Sequence, residues 1–134
     1  MKKTAAILLT AAMIILCFAL GGCGEHSSSY KAVAFVHSNE SDSAFMSFYT
    51  FEGRMVFRLR CGGKNEGLLR YAGSLEEGSV AVYCECGGEK TLLFSFGDGG
   101  EISPSIERIG KGKVYVTVET SGVCQNGDFW FEIE

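Results

Sequence analysis

Residues 54–61 read Arg-Met-Val-Phe-Arg-Leu-Arg-Cys, and residues 79–86 read Ser-Val-Ala-Val-Tyr-Cys-Glu-Cys. In the first stretch Met55, Phe57, Leu59 and Cys61 share one face, opposite Arg54, Val56, Arg58 and Arg60. In the second, Val80, Val82, Cys84 and Cys86 oppose Ala81, Tyr83 and Glu85. Successive side chains of an extended chain point to opposite sides, so a period of two marks a strand with one face on a core and one on solvent. The same period recurs at Leu92, Phe94 and Phe96, at Val114, Val116 and Val118, and at Phe129, Phe131 and Ile133. No stretch beyond Tyr30 has the helical period.

The connectors agree. Glu52-Gly53, Gly62-Gly63-Lys64-Asn65, Gly87-Gly88-Glu89-Lys90, Gly97-Asp98-Gly99-Gly100 and Gly110-Lys111-Gly112 are expected turns, in which glycine supplies positive φ. Short strands separated by such turns, with no helices between them, predict an all-β fold. The expectation is a single antiparallel β-sandwich or jelly-roll-like domain of seven to nine short strands over residues 30–134.

Outward from this block lies a different kind of sequence. Residues 1–22 carry Lys2 and Lys3, an uncharged stretch from Thr4 to Leu20 and then small residues, the pattern of a secretory signal that is removed. The apolar run Ala5 to Leu20 is shorter than the about 20 residues a membrane span wants. Loss of the signal leaves 112 residues with ten basic and sixteen acidic side chains, a net charge of −6. That length holds one modest core. It excludes a multidomain enzyme and a polytopic membrane protein, and the negative charge argues against general nucleic-acid binding.

The junction Leu20-Gly21-Gly22-Cys23 resembles the processing site of bacterial lipoproteins. The resemblance covers the first 23 residues and implies that Cys23 is lipidated, becomes the new N-terminus and moors the domain to the extracytoplasmic face of a cell membrane. Several buried acyl chains make such an anchor effectively permanent. Residues 23–29 then form the lipidated cysteine and a flexible tether, whose reach is at most roughly 20 Å. At the other end, residues 110–134 (GKGKVYVTVETSGVCQNGDFWFEIE) loosely resemble the closing hairpin of secreted bacterial jelly-roll and pre-peptidase-type sandwiches. That likeness implies architecture and carries no catalytic motif.

Four cysteines remain: Cys61, Cys84, Cys86 and Cys124. Outside the cytoplasm an even set of thiols reads first as disulfides. Cys84 and Cys86 lie two apart on one strand face, a poor geometry for bonding each other, so each is expected to reach Cys61 or Cys124. The alternatives are a four-thiolate zinc site, for which C-x-C is a weak match to the usual C-x-x-C, and free or redox-active thiols.

No catalytic residue, metal site or cofactor is expected. The sequence lacks G-x-S-x-G, H-E-x-x-H, a complete phosphate loop and an EF-hand loop. His26 falls in the tether and His37 at the end of the first strand, where neither has a partner in sequence. Too few ligands are visible at Asp98-Gly99-Gly100-Glu101 to prefer calcium.

Surfaces are the better candidates. A two-residue hairpin at Glu52-Gly53 would set Tyr49 opposite Val56 and Phe45 opposite Arg60, grouping Phe45 and Tyr49 with Arg54, Arg58 and Arg60. Aromatics beside guanidinium groups suit anionic or sugar-like polymers. A second hairpin pairing Val118 with Phe129 would bring Tyr115 near Trp130, a stacking platform. For both groups the bland alternative is a face covered by another strand or loop. The expected function is a lipid-anchored envelope module, without catalysis, that binds an anionic or glycan polymer or a partner protein. The alternatives are a structural accessory of an envelope or transport complex and, third, an enzyme.

Overall fold

The computed structural model describes residues 26–134. The signal segment 1–22 and the lipidation candidate Cys23 lie outside the described residues. Four of the five glycine-led connectors are turns between strands, and the strands they bound are β1 Ser29–Val33, β2 Val36–Asn39, β3 Ser43–Cys61, β4 Leu68–Cys86, β5 Glu89–Phe96, β6 Gly100–Arg108 and β7 Gly112–Ile133. All pair antiparallel in the order β1-β3-β7-β4-β5, with β2 added to β3 and β6 added to β4. The all-β class and the count of seven match the expectation.

Strand length does not. β3 and β4 each run 19 residues and β7 runs 22, several times a usual strand. The expected hairpin at Glu52-Gly53 is a bulge instead. β3 continues through it, and its register with β7 shifts between Phe51 and Arg54. Gly53 has φ +129°, and a Cβ there would lie 2.3 Å from the Ser29 carbonyl oxygen. The glycine therefore serves the close approach of β1 rather than a chain reversal. The expected hairpin within 118–129 is likewise absent: β7 passes straight from Val118 to Phe129, and Met55, not Phe129, pairs with Val118.

The irregularities fold the sheet over. Phe57 pairs with Val116, fifteen residues before Phe131 on β7, about 50 Å away in a flat strand. Yet the rings of Phe57 and Phe131 lie 5.9 Å apart. Likewise Tyr71, early in β4, stacks at 5.8 Å on Phe94 of β5, which pairs with Val82 late in β4. Each long strand thus contributes its two halves to two facing layers. One layer holds β2, β6, the first halves of β3 and β4 and the second half of β7; the other holds β5 and the remaining halves, and β1 runs along the bend of β3.

The inward face changes parity along β3 and β4, in β3 between Phe48 and Phe51, just ahead of the register shift. In β3, Ala44, Met46 and Phe48 are buried before the bulge and Met55, Phe57, Leu59 and Cys61 after it. In β4 the buried set passes from Leu69, Tyr71 and Leu75 to Val80, Val82 and Cys84. Between the layers a run of aromatic contacts joins Tyr30 to Phe51, Phe51 to Phe48, Phe48 to Phe129 and Phe129 to Phe94, at centroid distances of 5.2, 5.2, 6.3 and 6.0 Å. This aromatic spine ties β1, β3, β7 and β5 together.

The disulfide expectation is corrected as well: Cys61, Cys84, Cys86 and Cys124 are all free thiols. Strand order explains it. β7 runs between β3, which carries Cys61, and β4, which carries Cys84 and Cys86. Two ladder spacings, roughly 9.6 Å, exceed the reach of a disulfide. Cys124 pairs with Phe51 at the bend.

Candidate functional site

The structure regroups the surface residues. Phe45 and Trp130 are direct cross-strand partners on the outer face of the first layer, flanked by Ala72 on β4. Phe45 is 39% and Trp130 37% exposed. With Ser74, Asp128, Glu101, Ser103 and Pro104 they line a trough of about 480 Å³ between the β7–β4 face and β6. Ser74 is the partner of Asp128 on one side and of Glu101 on the other, so both carboxylates flank one serine. Among the described residues neither Asp128 nor Glu101 has a cation within 4.0 Å. The trough thus combines an apolar floor with uncompensated acceptors.

Tyr49 is exposed on the same face, four residues along β3 from Phe45 and outside the trough. Arg54, Arg58 and Arg60 are not beside Phe45 and Tyr49, because β3 does not turn back. Arg54 sits at the bulge opposite Ser29 and Glu119, and its Nε is buried without a hydrogen-bond partner among the described residues. Tyr115 and Trp130 belong to opposite outer faces, fifteen residues apart on β7.

Arg58 instead pairs with Tyr115, and Arg60 with Lys113, on the outer face of the second layer. Ser41, Arg58, Leu59, Arg60, Lys113 and Tyr115 line a pocket of about 370 Å³. The expected tether crosses this face. The His26 ring stacks on Tyr115 at 3.7 Å and 8°, its Nε2 lies 2.8 Å from Glu85 Oε2, and Arg58 Nη2 donates to its carbonyl oxygen at 3.2 Å. Ser28 Oγ accepts a hydrogen bond from the Val56 N–H at 2.8 Å.

Cys84 and Cys86 line a third cleft, with Glu107 and Lys111. Burial above all, then Cys86, Glu107 and Glu85, pushes the Cys84 thiol up to about 12. Burial also raises Cys124, whose Sγ donates to the Ser79 carbonyl at 3.3 Å. Both hold their protons at neutral pH, the reverse of what thiolate ligation needs. Among the described residues no group of three or more His, Cys, Asp or Glu is placed to hold a metal.

Phe45, Trp130, Arg58, Arg60 and Tyr115 are legible in the sequence, whereas Ser74, Ser103, Asp128, Lys113 and Ser41 are not. Nothing local marks those residues; only the strand order makes them neighbours. The sequence sets Glu101 beside Asp98 in a turn, whereas its neighbours in the fold are Ser74 and the trough.

No known protein family matches the chain, and no curated protein matches its sequence. Among solved structures it is similar to TmCBM61 in complex with beta-1,4-galactotriose, at 14% identity over 85% of this chain and 92% of that one, TM-score 0.43. It is also similar to the Drosophila melanogaster CENP-C cupin domain, at 10% identity over 81% and 76%, TM-score 0.34. Murine APRIL is a third, at 11% identity over 79% and 99%, TM-score 0.33.

Proposed function

We propose that this chain is a lipid-anchored, extracytoplasmic module of the cell envelope that binds a glycan polymer in the Phe45–Trp130 trough and performs no catalysis. The observation that carries the reading is the placement of two half-exposed aromatic rings, on adjacent strands, beside two unpaired carboxylates and two serines. A sugar ring presents an apolar C–H face and a rim of hydroxyls. The face suits Trp130 and Phe45, whose rings are large, rigid and apolar. The rim suits Asp128, Glu101, Ser74 and Ser103, since a hydroxyl donates to a carboxylate in a strong, charge-assisted hydrogen bond. Two acidic side chains and no cation in the lining favour a neutral or amino sugar over an anionic one.

The anchor rests on the junction Leu20-Gly21-Gly22-Cys23. In this reading the chain reaches Cys23 from His26, which lies on the face opposite the trough, so the trough looks away from the membrane. Retention on crosslinked envelope glycan is the test. The natural chain is expected to be held and Trp130→Ala to elute at least tenfold earlier in affinity. Co-purification of one stoichiometric protein in its place, with no retention by glycan, would point to the accessory role.

A further inference from the structure

A second site lies on the other face. Arg58, Arg60 and Lys113 converge on the pocket lined also by Ser41 and Tyr115, in a chain whose net charge is −4. Among the described residues no carboxylate lies within 4.0 Å of any of the three cations. Glu85, the acid in the same cross-strand row as Arg58 and Tyr115, is engaged by His26. The walls are fixed. Asn39 Oδ1 accepts from the Arg58 N–H at 2.9 Å and Asn39 Nδ2 donates to the Arg58 carbonyl at 2.8 Å, while the Arg60 N–H donates to the Ser41 carbonyl at 2.7 Å. The Arg58 contact to the His26 carbonyl occupies Nη2 and leaves the other guanidinium nitrogens for a ligand.

From this cluster we infer that the Arg58–Arg60–Lys113 pocket is a binding site for a phosphate group. Two planar guanidinium forks and one ammonium suit a tetrahedral phosphate, whose oxygens each accept more than one hydrogen bond and can be shared between neighbouring donors. Like charges held together without a counterion raise the local potential for an incoming anion. The site is separate from the trough and does not depend on its occupancy. The phosphate comes from a glycerophosphate headgroup, a diester, or from free phosphate, which carries no ester bond, and the two differ in whether esterification is tolerated.

The full chain is titrated, at constant ionic strength, with inorganic phosphate, with glycerophosphoglycerol and with sodium chloride, following amide shifts by NMR. Saturable shifts at Arg58, Arg60, Lys113 and Tyr115, with a dissociation constant of about 1 mM or tighter, are expected for at least one phosphate compound. Arg60→Gln combined with Lys113→Gln is expected to weaken binding at least tenfold, and Arg70→Gln, on the other layer, to leave it unchanged. Binding of glycerophosphoglycerol assigns the source to headgroup-type diesters; binding of inorganic phosphate alone assigns it to free phosphate. Shifts no larger than those caused by chloride would overturn the site, a comparison that needs no variant. So would equal binding by the double variant with its strand signal intact.

Discussion

Cys84 shows how far the fold alters one residue. Its thiol is held protonated to about pH 12, chiefly by burial, against an ordinary value of 9.0. In the unfolded chain the thiol ionises near its ordinary value while the folded chain keeps its proton. Folding is therefore disfavoured as pH rises between about 9 and 12, and the contribution is intact below that window. Denaturant midpoints measured across this range should fall, and they should fall less steeply in Cys84→Val, which removes the titrating group at nearly constant volume. Thiol labelling gives a second readout. Without reductant, Cys86 should react first, and Cys61, Cys84 and Cys124 only after denaturation; a blocked pair under denaturing conditions would restore the disulfide. The alternation did place these residues correctly: Cys61 and Cys84 do point inward. Pairing was illegible because it depends on which strand lies between them, and no local pattern encodes that.

At the scale of elements, the hydrophobic period marks the inward faces of 55–61, 80–84, 114–118 and 129–133, but it misplaces Leu92, which is exposed, and Val56, which is buried, and it does not show where a strand ends. Glu52-Gly53 has the composition of a two-residue turn, and Gly53 does adopt positive φ. A bulge makes the same demand on the backbone and switches inward parity just as a hairpin can. Arg54–Cys61 and Ser43–Phe51 were therefore readable as two strands, while their continuity was not. Gly78 does the same work in β4, where register with β7 shifts between Glu77 and Ser79. Its φ is +109°, and a Cβ there would lie 2.6 Å from Cys124 Sγ and 2.8 Å from Cys124 Cα. Gly78→Ala is expected to destabilise the fold by at least about 1–3 kcal/mol from backbone strain alone, read as a lowered thermal midpoint. A stability equal to that of the natural chain would show that the sheet does not fold over at this point.

At the scale of the whole molecule, the two layers share one hydrophobic core. Phe57 is fully buried and meets Phe131 across the interface. Phe57→Ala should cost about 3–5 kcal/mol, a large part of the 5–15 kcal/mol typical of a domain, and denaturant unfolding checks it. The fold also separates two chemistries that the sequence alone does not distinguish. Trp130 moves from Tyr115 to Phe45, and Arg58 and Arg60 move from Phe45 to the Tyr115 face, because β3 and β7 run through both layers instead of turning back. One outer face is then aromatic and acidic and the other cationic, with His26 lying on the cationic side. The proposed orientation, cations toward the membrane and trough toward the wall, follows from that division.

Trp130 is the sole tryptophan of the chain, so its emission reports on the trough without labelling. Titration of the natural chain with soluble fragments of neutral envelope glycan should shift that emission saturably, and Phe45→Ala should weaken the response at least tenfold. An emission spectrum unmoved by every glycan fragment, while the chain is still retained on whole envelope, would place binding elsewhere and contradict the assignment of the trough.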